Sequence, residues 1–132
     1  MSIPAAAPFS LSELGQVALS VGNINEATEF YRGVLGLTHL FSAPPGLAFF
    51  SAGTVRLMLV APENPAEPPK PNSTLYFRVP DIHAARTVLV ERGVRFEGEP
   101  HCIARMPNHD LWMAFLRDPD RNLIGIMSEV PR

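Results

Sequence analysis

The stretch QVALSVGNINEATEFYRGVLG, residues 16–36, is repeated in pattern by TLYFRVPDIHAARTVLVERG, residues 74–93. Each copy begins with the alternation of apolar and polar or small residues that is typical of a β-strand. Each then breaks at a turn, where Asn23 or Asp81 is placed to cap a helix with apolar residues at helical spacing. Corresponding apolar positions lie 58 residues apart. The pattern therefore predicts a strand followed by a helix, built twice.

Three short strand-like runs follow each predicted helix. They cover residues 37–43, 47–51 and 54–60 in the first half, and residues 94–99, 111–117 and 122–128 in the second half. Each half therefore has the pattern of a β-α-β-β-β module, in which the helix covers one face of a small sheet. We expect an α+β fold of two tandem modules.

Prolines divide the chain between these modules. Five prolines fall between Ala61 and Asn72, and a segment so rich in proline forms neither a helix nor a central strand. We expect one domain made of four parts. These are a flexible N-terminal tail over residues 1–11, a first module over 12–61, a Pro-rich linker over 62–72 and a second module over 73–132.

Composition excludes several classes of partner. The chain has 132 residues, 46% of them apolar, and a net charge of −2 with scattered Lys and Arg, so we expect no nucleic-acid partner. No apolar run approaches the roughly 20 residues of a membrane-spanning helix, so we expect no membrane partner. The first residues lack the pattern of a secretion signal, and the single cysteine, Cys102, excludes an internal disulfide. We therefore expect a cytoplasmic protein.

Two segments resemble the vicinal oxygen chelate superfamily, the group of glyoxalases, bleomycin-resistance proteins and extradiol dioxygenases. They are EATEFYRGVLGL at residues 26–37 and FLRDPDRNLIGI at residues 115–126, and the resemblance runs from Leu14 to Met127. It implies that the two modules form a curved mixed-sheet cup, usually in a homodimer, that binds a small molecule. In the hairpin of the second segment Arg121 replaces the family's usual glycine. If Arg121 takes a positive φ, the cost is roughly 1–2 kcal/mol.

The resemblance also implies four metal-ligand positions, which metal-dependent members typically fill with His, Glu or Gln. They fall here at Gln16, Leu57, Thr74 and Gly125. An amide, an isobutyl group, a hydroxyl and a hydrogen are poor ligands for a divalent metal ion, so we expect no metal cofactor. Two explanations for Gly125 remain. It is a vacated ligand position that makes room for a small molecule, or it marks a bulge or a close backbone approach.

Strand alternation then predicts which side chains line the cup. With the four positions pointing inwards, the lining has the mixed character of a small-molecule pocket, while Arg56 falls on the helix side. The predicted lining consists of Gln16, Ala18, Ser20, Leu57, Leu59, Thr74, Tyr76, Arg78, Leu123, Gly125 and Met127.

The segment over residues 100–112, interpreted as an insertion in the second module, supplies further candidates. His101 and His109 are candidate catalytic residues, because histidine titrates near neutral pH and moves protons. The alternatives are ordinary loop or interface histidines, or ligands of a metal site rebuilt together with Gln16. Arg105 is a candidate ligand contact, and so is Trp112, either as a stacking wall of the cup or as a core anchor.

Three functional hypotheses follow from the resemblance and these residues. The leading one is a metal-free protein that binds a small, planar or partly apolar organic molecule in a cup at a homodimer, without breaking a bond. The second is an enzyme with isomerase, lyase or dioxygenase-like chemistry, in which His101 or His109 transfers a proton or belongs to a rebuilt metal site. The third is an interaction domain whose cup is filled by its own side chains.

Overall fold

The structure, a computed structural model, describes residues 9–132, so most of the predicted N-terminal tail lies outside the described residues. Residues 9–15 belong to no helix or strand. The first module consists of β1 (Gln16–Ser20), α1 (Ile24–Glu29) with a π-helical turn (Phe30–Val34), β2 (Thr38–Ala43), β3 (Leu47–Ala52) and β4 (Val55–Val60). The second module consists of β5 (Leu75–Arg78), α2 (Ile82–Glu91), β6 (His101–Arg105), β7 (His109–Arg117) and β8 (Leu123–Pro131).

Each module folds into one four-stranded mixed sheet. The strand orders are β1-β4-β3-β2 and β5-β8-β7-β6, and in each sheet the first and last strands of the module pair in parallel. The predicted α+β fold of two tandem β-α-β-β-β modules is confirmed. Both predicted caps are confirmed as well: Asn23 Oδ1 accepts the backbone N–H of Glu26, and Asp81 Oδ1 accepts those of His83 and Ala84.

The second module departs from the prediction in one place. The predicted strand over residues 94–99 is a single bridge between Phe96 and Leu116, because Gly98 has a φ of 132° and interrupts the extended run. The strand that completes this sheet is instead β6, which lies inside the segment over residues 100–112 that was interpreted as an insertion. That segment is therefore part of the sheet and not an addition to it.

The two modules are joined at a buried polar junction. Tyr31 of the first module is fully buried, and its hydroxyl donates to Asp118 Oδ2 of the β7–β8 hairpin at 2.7 Å. Asp118, only 4% exposed, also accepts the side-chain amide of Asn122 and the backbone N–H groups of Asp120 and Asn122. Burial and the neighbouring Asp118 carboxylate raise the pKa of Tyr31 far above its ordinary value, so this hydroxyl remains a donor.

The same hairpin also contacts the end of β1. The backbone N–H of Gly22 donates to Asp120 Oδ1 at 2.8 Å, and burial raises the pKa of this carboxyl above its ordinary value. Arg121, next in the hairpin, has a φ of 66°, so it takes the positive φ considered for this position. Two hydrogen bonds of the first module, from the π-helical turn and from the bend after β1, thus depend on a turn in the second module.

The modules meet on the faces that carry their helices. Leu35 and Leu37, which follow the first helix, line a groove with Phe77 and Val79 of the second module. Arg92, at the end of α2, donates to the backbone oxygen of Val34 at 2.8 Å, and buried side chains of both modules belong to one hydrophobic cluster. Neither α-helix in residues 9–132 is long and apolar enough to cross a membrane.

Candidate ligand-binding faces

The first sheet has a core face and an open face. The core face carries buried side chains such as Leu19 and Phe50. The register across β1, β4, β3 and β2 arranges the open face in three rows: Gln16, Arg56, Ser51 and Thr38; then Ala18, Met58, Phe49 and Phe41; then Ser20, Val60, Leu47 and Ala43.

The prediction for β4 is wrong by one residue. Leu57 is 2% exposed and lies opposite Val17 on the core face, and Leu59 is also a core residue. Arg56, which was expected on the helix side, lies instead on the open face opposite Gln16. The reason is that the sequence VRLMLV is largely apolar in both alternating sets, so alternation alone does not determine which set is buried.

The register also identifies Met58 as the first-module counterpart of Gly125. Gly125 lies opposite Tyr76, which the 58-residue repeat relates to Ala18, and Ala18 lies opposite Met58. The four family positions therefore carry Gln16, Met58, Thr74 and Gly125. An amide, a thioether, a hydroxyl and a hydrogen include neither imidazole nor carboxylate, so this set does not fit a divalent metal ion of the zinc, iron or manganese kind.

Polar and aromatic side chains of the open face contact one another. Arg56 Nε donates to Gln16 Oε1 at 2.8 Å, and Gln16 Nε2 lies 3.7 Å from the sulfur of Met58. The Arg56 guanidinium lies 5.4 Å from the centre of the Phe49 ring, a cation–π distance. Phe49 stacks on Phe41 with 4.3 Å between the ring centres, and Phe41 is 46% exposed. Phe49 itself is only 9% exposed, so the aromatic surface that solvent reaches in this stack is the ring of Phe41.

The open face of the second sheet contains the predicted Tyr76, Arg78, Gly125 and Met127. Tyr76 and Phe115 lie on either side of Gly125, and Arg78 and Met113 lie on either side of Met127. Thr74 directly precedes β5 and is half-buried. Tyr76 is 47% exposed, so this face also presents an aromatic ring to solvent.

The structure distinguishes between the two explanations of Gly125. A Cβ at this position would lie 2.5 Å from Cδ2 of Tyr76 and 3.3 Å from Cε1 of Phe115. Both rings cross the glycine and meet edge to face, with 5.8 Å between their centres. Gly125 is therefore a close approach, and the space above it is filled by aromatic side chains and not left for a ligand.

A charged cluster forms one end of the same face. Glu129 lies 3.5 Å from Arg78 Nε and 3.9 Å from His109 Nε2. The other ring nitrogen of His109, Nδ1, lies 2.7 Å from Asn108 Oδ1. His109 therefore lies between an amide oxygen and a carboxylate.

The two candidate histidines do not come together. His101 lies opposite Met113, and His109 lies four residues from Met113 along β7, which corresponds to about 13 Å. His101 Nδ1 lies 3.1 Å from the backbone oxygen of Glu99. Gln16 belongs to the other sheet, and within residues 9–132 no three His, Cys, Asp or Glu side chains are grouped to hold a metal ion. The proposed set for a rebuilt metal site is therefore not assembled.

Neither Trp112 nor Arg105 lies on an open face, which contradicts the prediction for Arg105 and decides between the two alternatives for Trp112. Trp112 lies opposite Cys102 and Ser128 and packs edge to face against His83 of α2, with 5.5 Å between the ring centres, so it is a core anchor. Arg105 lies opposite Asp110, on the same side of the sheet as Trp112. The β-bulge between Cys102 and Ala104 shifts the alternation in β6, and the sequence gives no sign of it.

The site residues that alternation missed lie mainly on the first sheet. They are Arg56, Met58, Phe49 and Phe41, with Glu129 on the second sheet. Only the pairing register of the strands identifies these residues. Residue type does not, because an apolar residue on an open face resembles a core residue in the sequence.

Comparisons with known proteins agree with this architecture. A profile of the Glyoxalase/Bleomycin resistance protein/Dioxygenase superfamily matches residues 13–126. TnmS3, an antibiotic binding protein from Streptomyces sp. CB03234, is 26% identical, with a TM-score of 0.71 over 92% of this chain and 98% of that chain. Lactoylglutathione lyase from Agrobacterium tumefaciens is 24% identical, with a TM-score of 0.70 over 89% and 94% of the two chains. No curated protein sequence matches the chain. The matched residues span both modules, and the chain therefore belongs to the Glyoxalase/Bleomycin resistance protein/Dioxygenase superfamily.

Proposed function

We propose that this protein binds a small, planar, partly apolar organic molecule without a metal and without breaking a bond. The observation that carries this proposal is the content of the open faces. They present solvent-accessible aromatic and thioether groups beside a few polar ones, which is the composition of a small-molecule site. The four family positions offer no imidazole or carboxylate, which supports binding without a metal cofactor. The similar TnmS3 is an antibiotic binding protein, which is in line with such a role.

We propose further that the cup forms between two copies of the chain. Within one chain the modules meet on their helix-bearing faces, where Tyr31 bonds to Asp118, and the open faces carry exposed groups such as Arg56 and Tyr76. A second copy that sets its second sheet against the first sheet of its partner would cover both faces. In such a two-fold dimer the same pairing occurs twice, which gives two equivalent cups.

Complementation between two variants tests the dimeric cup. Met58→Asp disables the open face of the first sheet, and Met127→Asp disables that of the second sheet. Both methionines are half-buried, so each variant is a matched control for the other. Calorimetry with a planar aromatic ligand should detect no binding to either variant alone, but binding to about one quarter of the cups after the two are unfolded and refolded together. Light scattering should give twice the 14.5 kDa chain mass.

Several outcomes would contradict the proposal. A monomer that binds one ligand per chain, or a mixture that binds none, would overturn the shared cup. One tightly bound zinc, iron, manganese or nickel ion per chain, measured by mass spectrometry of protein purified without chelators, would overturn metal-free binding. A protein that no planar aromatic compound protects against heat would favour a cup filled by its own side chains.

A second candidate function is proton-transfer catalysis at His109. The observation that favours it is the pair of neighbours, Asn108 Oδ1 at Nδ1 and the Glu129 carboxylate near Nε2, which would orient the imidazole towards a ligand. His109→Gln distinguishes the two functions. Catalysis predicts that turnover is abolished while binding is largely retained, whereas sequestration predicts weaker binding and no turnover in either protein.

A further inference from the structure

The rows of the first sheet separate charge from aromatic surface. The row that contains Gln16 and Arg56 is polar throughout, and the next row contains Met58, Phe49 and Phe41. Neighbouring rows on one face are two residues apart along a strand, about 6.8 Å. A flat molecule on this face therefore meets a cation at one end and an aromatic and thioether surface at the other.

Arg56 differs from the other arginines of the open faces in its counter-charge. On the second sheet, Nε of Arg78 lies 3.5 Å from a carboxylate oxygen of Glu129. Nε of Arg117, at the end of β7, lies 2.6 Å from a carboxylate oxygen of Glu97. Among residues 9–132, none of the ion pairs includes Arg56. Its neighbours are the neutral amide of Gln16 and the ring of Phe49. The charge of Arg56 is therefore held in position but not neutralised.

Gln16 determines which part of the guanidinium faces outwards. Its amide oxygen accepts the Nε–H of Arg56, and the guanidinium carbon lies 5.4 Å from the centre of the Phe49 ring. The two Nη atoms make no hydrogen bond with residues 9–132. This pair of nitrogens is the end that binds a carboxylate through two parallel hydrogen bonds.

We propose that Arg56 binds the acidic group of an aromatic acid whose ring lies over Phe41 and Met58. This inference rests on the proposed function and names the ligand class of the same site. When the open face is covered, the guanidinium loses water, and an unpaired buried charge is costly unless the ligand supplies an anion. A planar carboxylate supplies that anion, and its ring extends the Phe49–Phe41 stack.

Two probes of the same shape test this inference in calorimetry, 2-naphthoate and its neutral amide, 2-naphthamide. The wild-type protein should bind the acid more tightly than the amide. Arg56→Gln should weaken binding of the acid by about 10- to 100-fold, the range of a charge-assisted bidentate contact, and change binding of the amide less than threefold. Arg105→Gln, an exposed arginine on the other face of the second sheet, is the matched control and should leave both affinities unchanged.

Gln16→Glu provides an independent arm that retains Arg56. A carboxylate at this position would neutralise the guanidinium from within, so it should also weaken binding of 2-naphthoate at least tenfold while the fold, followed by circular dichroism, is retained. Equal affinity of wild type and Arg56→Gln for the acid would overturn the anion site but leave the proposed function standing, provided that the amide binds. If neither probe binds the wild-type protein at millimolar concentration, the proposed function itself fails.

Discussion

Replacing Tyr31 by phenylalanine removes one hydroxyl from the junction between the modules and leaves the ring in place. The hydroxyl is fully buried and donates at 2.7 Å to Asp118, which keeps three other hydrogen bonds after the change. A buried hydrogen bond to a charged group contributes about 1.5–3 kcal/mol, so we expect the free energy of unfolding to fall by about 2 kcal/mol. With an unfolding entropy of about 2.1 cal/mol/K per residue, this corresponds to a decrease in Tm of about 7 °C.

The chain contains its own control for this experiment, because it has only two tyrosines. Tyr76 is 47% exposed, and its hydroxyl makes no hydrogen bond with residues 9–132, so Tyr76→Phe should change the stability by less than about 0.5 kcal/mol. Urea titration followed by circular dichroism should show a lower midpoint for Tyr31→Phe with an unchanged slope. If the two variants have the same midpoint, the polar junction does not stabilise the fold and the reasoning is refuted.

Three further predictions concern single residues. Arg121→Gly should raise the free energy of unfolding, measured by urea titration, by about 0.5–1 kcal/mol. The reason is that the energetic cost of a positive φ at arginine exceeds the entropic cost of ordering a glycine. A loss of stability would contradict this. Because burial raises the pKa of Asp120 in the folded state, its contribution to stability should fall as the pH rises above 3.8, the ordinary pKa of an aspartate. Asp120→Asn, which keeps the acceptor oxygen, should therefore gain stability relative to wild type over that range, and a pH-independent difference would argue against a raised pKa. Gly125→Ala should displace the ring of Tyr76, and NMR shifts of Tyr76 that match wild type would disprove the close approach.

The helices and the first strand of each module were predictable because their signals are local. Asn23 and Asp81 are followed by apolar residues at helical spacing, and the 58-residue repeat supported both assignments at once. The strand β5 alternates cleanly, so Tyr76 and Arg78 were placed on the correct face. In such segments the periodicity of apolar residues in the sequence directly indicates which side chains are buried.

The errors fall where local pattern and pairing disagree. The strand β4 is largely apolar in both alternating sets, so only its register with β1 shows that Arg56 and Met58 face outwards. The strand β6 carries a bulge, which no residue in the sequence announces. The contact between Tyr31 and Asp118 joins residues 87 apart, and nothing local to either residue indicates the other.

That long separation has a consequence for synthesis on the ribosome. Tyr31 and Gly22 cannot form these hydrogen bonds until their acceptors, Asp118 and Asp120, have been added 87 and 98 residues later. Until then the first module exposes an unpaired hydroxyl and the apolar side chains of Leu35 and Leu37, which line the groove with the second module, so the core that the two modules share is incomplete while the chain is growing. The final hairpin closes both modules together, and a nascent chain stalled before Asp118 should be a target for chaperones and proteases.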